Sequence, residues 1–193
     1  MVILFLEIFA VFSAILYLIL AANEDVRCWY AALFSSILYM YIMYTAGLMM
    51  ESFLQIFYIC MAIYGWYIWS SKIYVEQELK IRSWKMQYHL YTITIVTLLA
   101  IITGFFLEKY TQAALPFLDA FTTWGAIITT YMVAKKIIEN WIYWFVIDSI
   151  SIYLFISREL YLTSLLFFIY LIIIIFGYRS WMKKLNADET IVN

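Results

Sequence analysis

The sequence predicts an all-α integral membrane protein, with seven transmembrane helices in a 3+1+3 arrangement of two parallel three-helix repeats. Three observations lead there. The chain is 67% hydrophobic and only 13% charged, whereas a water-soluble domain is about half apolar and a quarter charged. Its apolar stretches recur at the length that crosses a hydrocarbon core, roughly 20 residues. A shift of 112 residues, the separation of Trp29 and Trp141, lays the second half of the chain on the first. One Pro and five Gly leave little material for turns, and the alternating segments of a membrane β-barrel are absent. Helices must therefore satisfy the backbone inside lipid.

The first span runs from Val2 to Ala22. No positive segment precedes it, and it is longer than the core of a signal peptide, so it is expected to be retained as a helix. The polar break Asn23-Glu24-Asp25-Val26-Arg27 separates it from a second span, Cys28 to Thr45. The third span, Ser52 to Ser71, is divided from the fourth, Tyr88 to Leu107, by the longest polar stretch, Lys72 to Lys85. Phe117 to Ala134, Asn140 to Ser157 and Tyr161 to Tyr178 complete the set. The expected organisation is one transmembrane domain over 1–193, with a first repeat about 2–72, a linking helix about 88–107 and a second repeat about 117–184.

Loop charges orient these spans. Arg27, Lys72, Lys80, Arg82, Lys85, Lys135, Lys136, Arg179, Lys183 and Lys184 fall on one side, and only Lys109 and Arg158 on the other. By the positive-inside rule the richer side is cytoplasmic. The N-terminus is then outside and the C-terminus inside, which an odd number of spans requires. A net charge of −1 with dispersed cations offers no face for nucleic acid. Cys28 and Cys60 match no CxxC or zinc spacing and are read as apolar packing residues.

Rare residues carry the repeat. The shift places Trp141 on Trp29, Tyr153 on Tyr41, Tyr170 on Tyr58, Gly177 on Gly65, Trp181 on Trp69 and Lys184 on Lys72, without a gap. A second three-span copy fused directly would sit upside down; the fourth span corrects this. The copies are then parallel about a pseudo-twofold axis along the membrane normal, and a substrate belongs at their interface near mid-membrane.

Polar groups inside spans are costly and therefore informative. Asp148 in the sixth span shares a helical face with Trp144 and Trp141, with Asn140 at the entrance; Gln55, Tyr58, Gly65 and Trp69 share a face of the third. Two polar-aromatic ridges suit a flat, polar or cationic ring, held by cation–π attraction and amide hydrogen bonds. Against this, Trp and Tyr commonly form interfacial belts. Trp69, Trp181 and Trp29, near the expected cytoplasmic ends, are assigned to a belt, and the deeper Trp144, Gln55 and Tyr58 to a pocket. Gly65 and Gly177 are read as close-packing sites, with a hinge as the alternative. Glu7 and Asp119 match under the shift and are either proton carriers or structural acceptors, the latter favoured.

Absences narrow the chemistry. No Lys or Arg lies mid-span, so the cargo should be uncharged or cationic and lack phosphate. No GxxxxGK[ST] loop is present for ATP hydrolysis. His89, the single histidine, has no ligand-spaced partner, and no nucleophile–base pair or metal cluster suggests an enzyme. No cofactor or metal is expected.

The run Lys-Lys-Ile-Ile-Glu-Asn-Trp-Ile-Tyr-Trp-Phe-Val-Ile-Asp (Lys135 to Asp148), the Gln-x-x-Tyr from Gln55, the Tyr-Gly-Trp-x-x-Trp from Tyr64 and the Gly-Tyr-Arg-Ser-Trp from Gly177 resemble the Pnu vitamin transporters, best known as nicotinamide riboside transporters of the PnuC type. The resemblance covers nearly the whole chain. It implies a bacterial inner-membrane facilitator with a SWEET-like architecture, a homo-oligomer described as trimeric, whose vitamin is trapped by a cytosolic kinase. It also implies that Gln55, Tyr58, Asn140, Trp141, Trp144 and Asp148 line the substrate site. Thiamine and riboflavin carriers belong to the same family, and a cationic aromatic ring is common to nicotinamide riboside and thiamine.

Overall fold

A computed structural model describes residues 2–45, 49–70, 79–111, 115–157 and 161–192. Seven helices occur in order: α1 (Val2–Ala22), α2 (Cys28–Thr45), α3 (Met49–Ser70), α4 (Met86–Tyr110), α5 (Pro116–Ala134), α6 (Asn140–Ser157) and α7 (Tyr161–Val192). α1, α2 and α6 coincide with the expected spans. α5 starts one residue early, on Pro116, whose missing N–H suits the first turn. α7 does not stop at Tyr178. Its 32 residues make about 48 Å of helix, longer than the roughly 30 Å hydrocarbon core, because no Gly or Pro interrupts 179–192 and polar residues continue a helix as well as apolar ones. Ser71, Lys72 and Arg158 lie outside the described residues.

Three helices, α1, α4 and α7, hold segments long and apolar enough to cross a membrane: Phe5–Ala22, Met86–Tyr110 and Ser164–Ala187. Shorter apolar helices occupy Cys28–Ile42 and Leu54–Ser70. α5 is the most buried, and its small and hydroxylated face explains how. Thr122, Thr129 and Thr130 are buried and donate to the carbonyls of Leu118, Gly125 and Ala126 four residues back, so no polar group is left unpaired by their burial.

α1 packs on α2 and α2 on α3; α5 packs on α6 and α6 on α7; α1–α7 and α3–α5 contacts join the two groups. α4 packs on α5 at the outside, exposing Leu90, Leu98, Ile102 and Phe105, a surface suited to lipid.

Where α1 and α5 end, four indoles meet. Trp29 stands edge-on to Trp69 at 5.4 Å and 87°, Trp141 edge-on to Trp181 at 5.5 Å and 90°, and Trp69 and Trp181 are 6.4 Å apart. Trp29, Trp141 and Trp181 are at most 1% exposed. The belt expected of Trp29, Trp181 and Trp69 is therefore overturned for the first two, and Trp69, half-buried, belongs to the same cluster. Two glycines make the burial possible. A Cβ on Gly65 would enter the Trp29 ring and one on Gly177 the Trp141 ring, so both glycines act as seats for indoles. The Nε1–H of Trp69 donates to the carbonyl of Ala134 and that of Trp181 to the carbonyl of Ala21, each at 3.0 Å. The Ala134 carbonyl at the end of α5 thus gains its partner from the other group, and the Ala21 carbonyl accepts a second bond beside that from the Glu24 N–H.

The loops beyond this cluster also meet. Among the described residues, Glu24 (φ 56°) and Lys136 (φ 51°) are the non-Gly residues with positive φ, and they lie 112 residues apart. The Lys136 ammonium sits 2.6 Å from the Glu24 carboxylate and 4.9 Å from the Trp69 ring centroid; Lys184 reaches the other Glu24 oxygen at 2.9 Å. Residues 79–85 dock nearby. In the α5–α6 loop the Lys136 carbonyl accepts from the Arg82 N–H and the Ile138 N–H donates to the Arg82 carbonyl, and Ser83 and the Trp84 N–H both donate to the Glu139 carboxylate.

Candidate functional site

Between the α1–α3 group and the α5–α7 group lies a cavity of about 230 Å³. Gln55 and Tyr58 reach it from α3, and Trp144 and Asp148 from α6, because spacings of three and four put each pair on one helical face. The structure thus brings together four of the six residues expected from sequence. The remaining wall comes from Tyr17 of α1, Ser36 and Tyr39 of α2, and Phe167 and Tyr170 of α7. Trp29 lies at the end nearest the indole cluster.

Asn140 and Trp141 do not line this cavity. Asn140 is fully buried at the start of α6, where its Nδ2 donates to the Ile137 carbonyl at 2.6 Å. Trp141 is seated on Gly177 and borders a separate apolar hollow with Ile142, Phe145 and Arg179. Trp141 shares a face with Asp148, but seven residues are about 10 Å along a helix, which carries Trp141 past the cavity into the packed cluster.

Asp148 has the most unusual surroundings. It is 3% exposed, and among the described residues its carboxylate accepts no hydrogen bond and joins no ion pair. Among the described lining residues there is no Lys, Arg or His. Burying a charged carboxylate without a partner is strongly unfavourable, so any group that supplies a hydrogen bond or a positive charge there would be favoured. Indole and phenol rings around it provide faces for a flat ring.

Glu7 and Asp119 do not reach the cavity. Glu7 is exposed on α1, and Asp119 is half-buried in the first turn of α5, where the positive end of the helix dipole favours a carboxylate. His89 places Nδ1 3.0 Å from the Tyr143 hydroxyl and Nε2 3.9 Å from Glu139, pinning the start of α4 to α6. Among the described residues no three His, Cys, Asp or Glu side chains gather to hold a metal.

Sequence reasoning did not single out Tyr17, Ser36, Tyr39 or Tyr170 as cavity residues. A signal existed for two: the 112-residue shift pairs Tyr170 with Tyr58 and Ser36 with Asp148.

Over residues 4–183 the sequence matches the family described as nicotinamide mononucleotide transporter. It is 28% identical over 204 residues to the nicotinamide riboside transporter PnuC of Escherichia coli (strain K12), covering 93% of this chain and 85% of that one. The protein of the same name from Shigella flexneri matches equally. The fold resembles the crystal structure of the vitamin B3 transporter PnuC with a TM-score of 0.74, over 95% of this chain and 83% of that chain, at 20% identity. The family match enters all seven helices, and the chain therefore belongs to the nicotinamide mononucleotide transporter family, as a multi-pass membrane protein.

Proposed function

We propose that this chain carries nicotinamide riboside across the bacterial inner membrane by facilitated diffusion, and that phosphorylation by a cytosolic kinase traps the vitamin. The observation that carries the reading is Asp148, a buried carboxylate without a partner in an aromatic cavity that has no cation of its own among its described lining residues. A pyridinium ring supplies the missing positive charge and a face for Trp144, while Gln55 and Tyr58 offer hydrogen bonds to its polar substituents. The family's description names the mononucleotide, but a phosphate beside Asp148 would meet repulsion with nothing to offset it. The riboside named for the PnuC relatives fits better. Riboflavin, whose ring is neutral, would leave Asp148 unpaired, and the cavity falls below the roughly 300–1,000 Å³ of drug-sized sites.

The same reading includes two parallel three-helix repeats, about 2–72 and 117–184, joined by α4. The matched Trp–Gly seats, the exchanged indole hydrogen bonds and the paired positive-φ loops support it. It also includes an outward N-terminus, from the charge bias of the loops, and a homo-oligomer of the trimeric kind that the resemblance implies. Asn140 and Trp141 contribute to the site by positioning the start of α6.

The test is a titration of the purified protein with nicotinamide riboside, its mononucleotide and thiamine, read by tryptophan fluorescence, with uptake into proteoliposomes alongside. Saturable binding and gradient-independent uptake of the riboside, without binding of the mononucleotide, is the expected result. Preference for thiamine would replace the cargo; preference for the mononucleotide would overturn the role given to Asp148.

A further inference from the structure

We infer that the cavity takes its cargo in one direction: Ser36 and Tyr39 of α2 bind the neutral, hydroxyl-bearing end, opposite Trp144 and Asp148 of α6, which take the cationic ring. The inference rests on the functional reading above and adds to it the specificity residues of the opposite wall.

It starts from the lining residues that lie 112 positions apart. Tyr58 and Tyr170 are alike. The others are not: Ser36 stands where the second half has Asp148, Ala32 where it has Trp144, Gln55 where it has Phe167 and Leu18 where it has Thr130, and all eight line the cavity. The α2–α3 wall therefore holds neutral hydrogen-bonding groups, while the α6–α7 wall holds the carboxylate, an indole and a phenyl ring beside the Tyr170 phenol, and the Thr130 hydroxyl of α5 is committed to the Ala126 carbonyl.

The hydroxyls on the neutral wall are available. Ser35 donates to the Ala10 carbonyl at 3.0 Å, joining α2 to α1. Its neighbour Ser36 is 7% exposed and, among the described residues, makes no hydrogen bond, although a serine inside a helix commonly bonds back to its own turn. Tyr39 and Gln55 likewise make none among the described residues. An elongated cargo with a cation at one end and hydroxyls at the other satisfies both walls in one orientation. Reversed, its cation would lie across the cavity from Asp148, and Coulomb attraction falls with distance.

The test crosses two variants of the full chain with three probes: nicotinamide riboside, 1-methylnicotinamide (the cationic ring without the sugar) and benzamide riboside (the sugar on a neutral ring). S36A/Y39F should weaken both ribosides about tenfold, the scale of two lost hydrogen bonds, and change 1-methylnicotinamide by less than about twofold. D148N should weaken the two cationic probes about tenfold or more and spare benzamide riboside. Each variant keeps one probe at full affinity, which controls for folding. Equal losses for all three probes, or loss of 1-methylnicotinamide in S36A/Y39F, would overturn the inference. If the wild type binds none of the probes, the nicotinamide riboside reading itself fails. If it binds thiamine instead, the same variants scored with thiamine and its analogue lacking the hydroxyl decide whether the walls divide the work, independently of the vitamin's name.

Discussion

The indole cluster and the cavity lie end to end between the same helices, yet they treat the 112-residue correspondence in opposite ways. In the cluster, corresponding positions do the same thing. Trp29 and Trp141 are seated on Gly65 and Gly177, and Trp69 and Trp181 each cap the end of a helix in the other group. In the cavity the frame is repeated but the side chains differ, with Ser36 against Asp148 and Ala32 against Trp144. Matched residues hold the two groups together, and on the proposed reading unmatched residues recognise the cargo. A symmetric floor can support an asymmetric site because packing depends on shape, whereas recognition of a polar cation depends on where the charge is placed.

The largest expected effect breaks the floor. Gly65→Val or Gly177→Val drives side-chain atoms into an indole that is already fully buried, and overpacking costs about 1–3 kcal/mol or more. Both variants should lose monodisperse protein in detergent or melt far lower, and by similar amounts. If one were tolerated, the two seats would not be equivalent.

Asp148→Asn comes next, and it should separate the two regions cleanly. Removing a buried charge without a partner relieves a desolvation penalty, so the melting temperature should hold or rise while riboside affinity falls. A melting temperature that drops with the affinity would instead make Asp148 part of the packing.

Much of this contrast was legible in the sequence, for physical reasons. The bounds of α1, α2 and α6 follow from apolar length, and the correspondence of Gly65 with Gly177 and of Trp29 with Trp141 from rare residues recurring at one shift, though not that each glycine seats an indole. Gln55, Tyr58, Trp144 and Asp148 followed from spacing on a helix face, together with the scarcity of polar groups at that depth. Other features were hidden. Tyr17 and Tyr39 are two of 18 tyrosines, and composition does not say which of them turn inward. The burial of Trp29 depends on Gly65 of another helix, and that of Trp181 on the Ala21 carbonyl and the Trp141 ring, which a residue-by-residue rule for interfacial tryptophan does not weigh. The left-handed backbone at Glu24 and Lys136 closes the ends of α1 and α5, where the Asp25 and Ile137 N–H groups return to the Leu20 and Met132 carbonyls, and neither residue type advertises such an end in sequence.

That loop contact gives a smaller, sharper test. Both side chains are 13% exposed, so the pair is partly shielded from solvent, and a double-mutant cycle with Glu24→Gln and Lys136→Met should return about 1–2 kcal/mol of coupling. Lys184 also holds Glu24, so Glu24→Gln alone should destabilise more than Lys136→Met. Measured by thermal melting in detergent, a zero coupling would mean that the indoles hold the two groups without help from the loops.

The smallest effect addresses equivalence itself. Trp69→Phe and Trp181→Phe each remove one indole N–H that donates to a helix-end carbonyl at 3.0 Å, and a lost hydrogen bond of this kind costs about 1 kcal/mol. The burial of the two indoles is unequal, Trp181 being fully buried and Trp69 half-buried. Truncating the fully buried indole leaves the larger void, although the Ala21 carbonyl keeps the Glu24 N–H as a donor at 3.0 Å. The Trp181 variant should lose slightly more stability than the Trp69 variant, and the difference should grow when Lys136, which lies over the Trp69 ring, is changed to Met in both backgrounds, because Trp69→Phe then no longer weakens a cation–π contact of its own. Equal losses throughout would mean that the hydrogen bonds, and not the burial around them, set the strength of the join between the two groups.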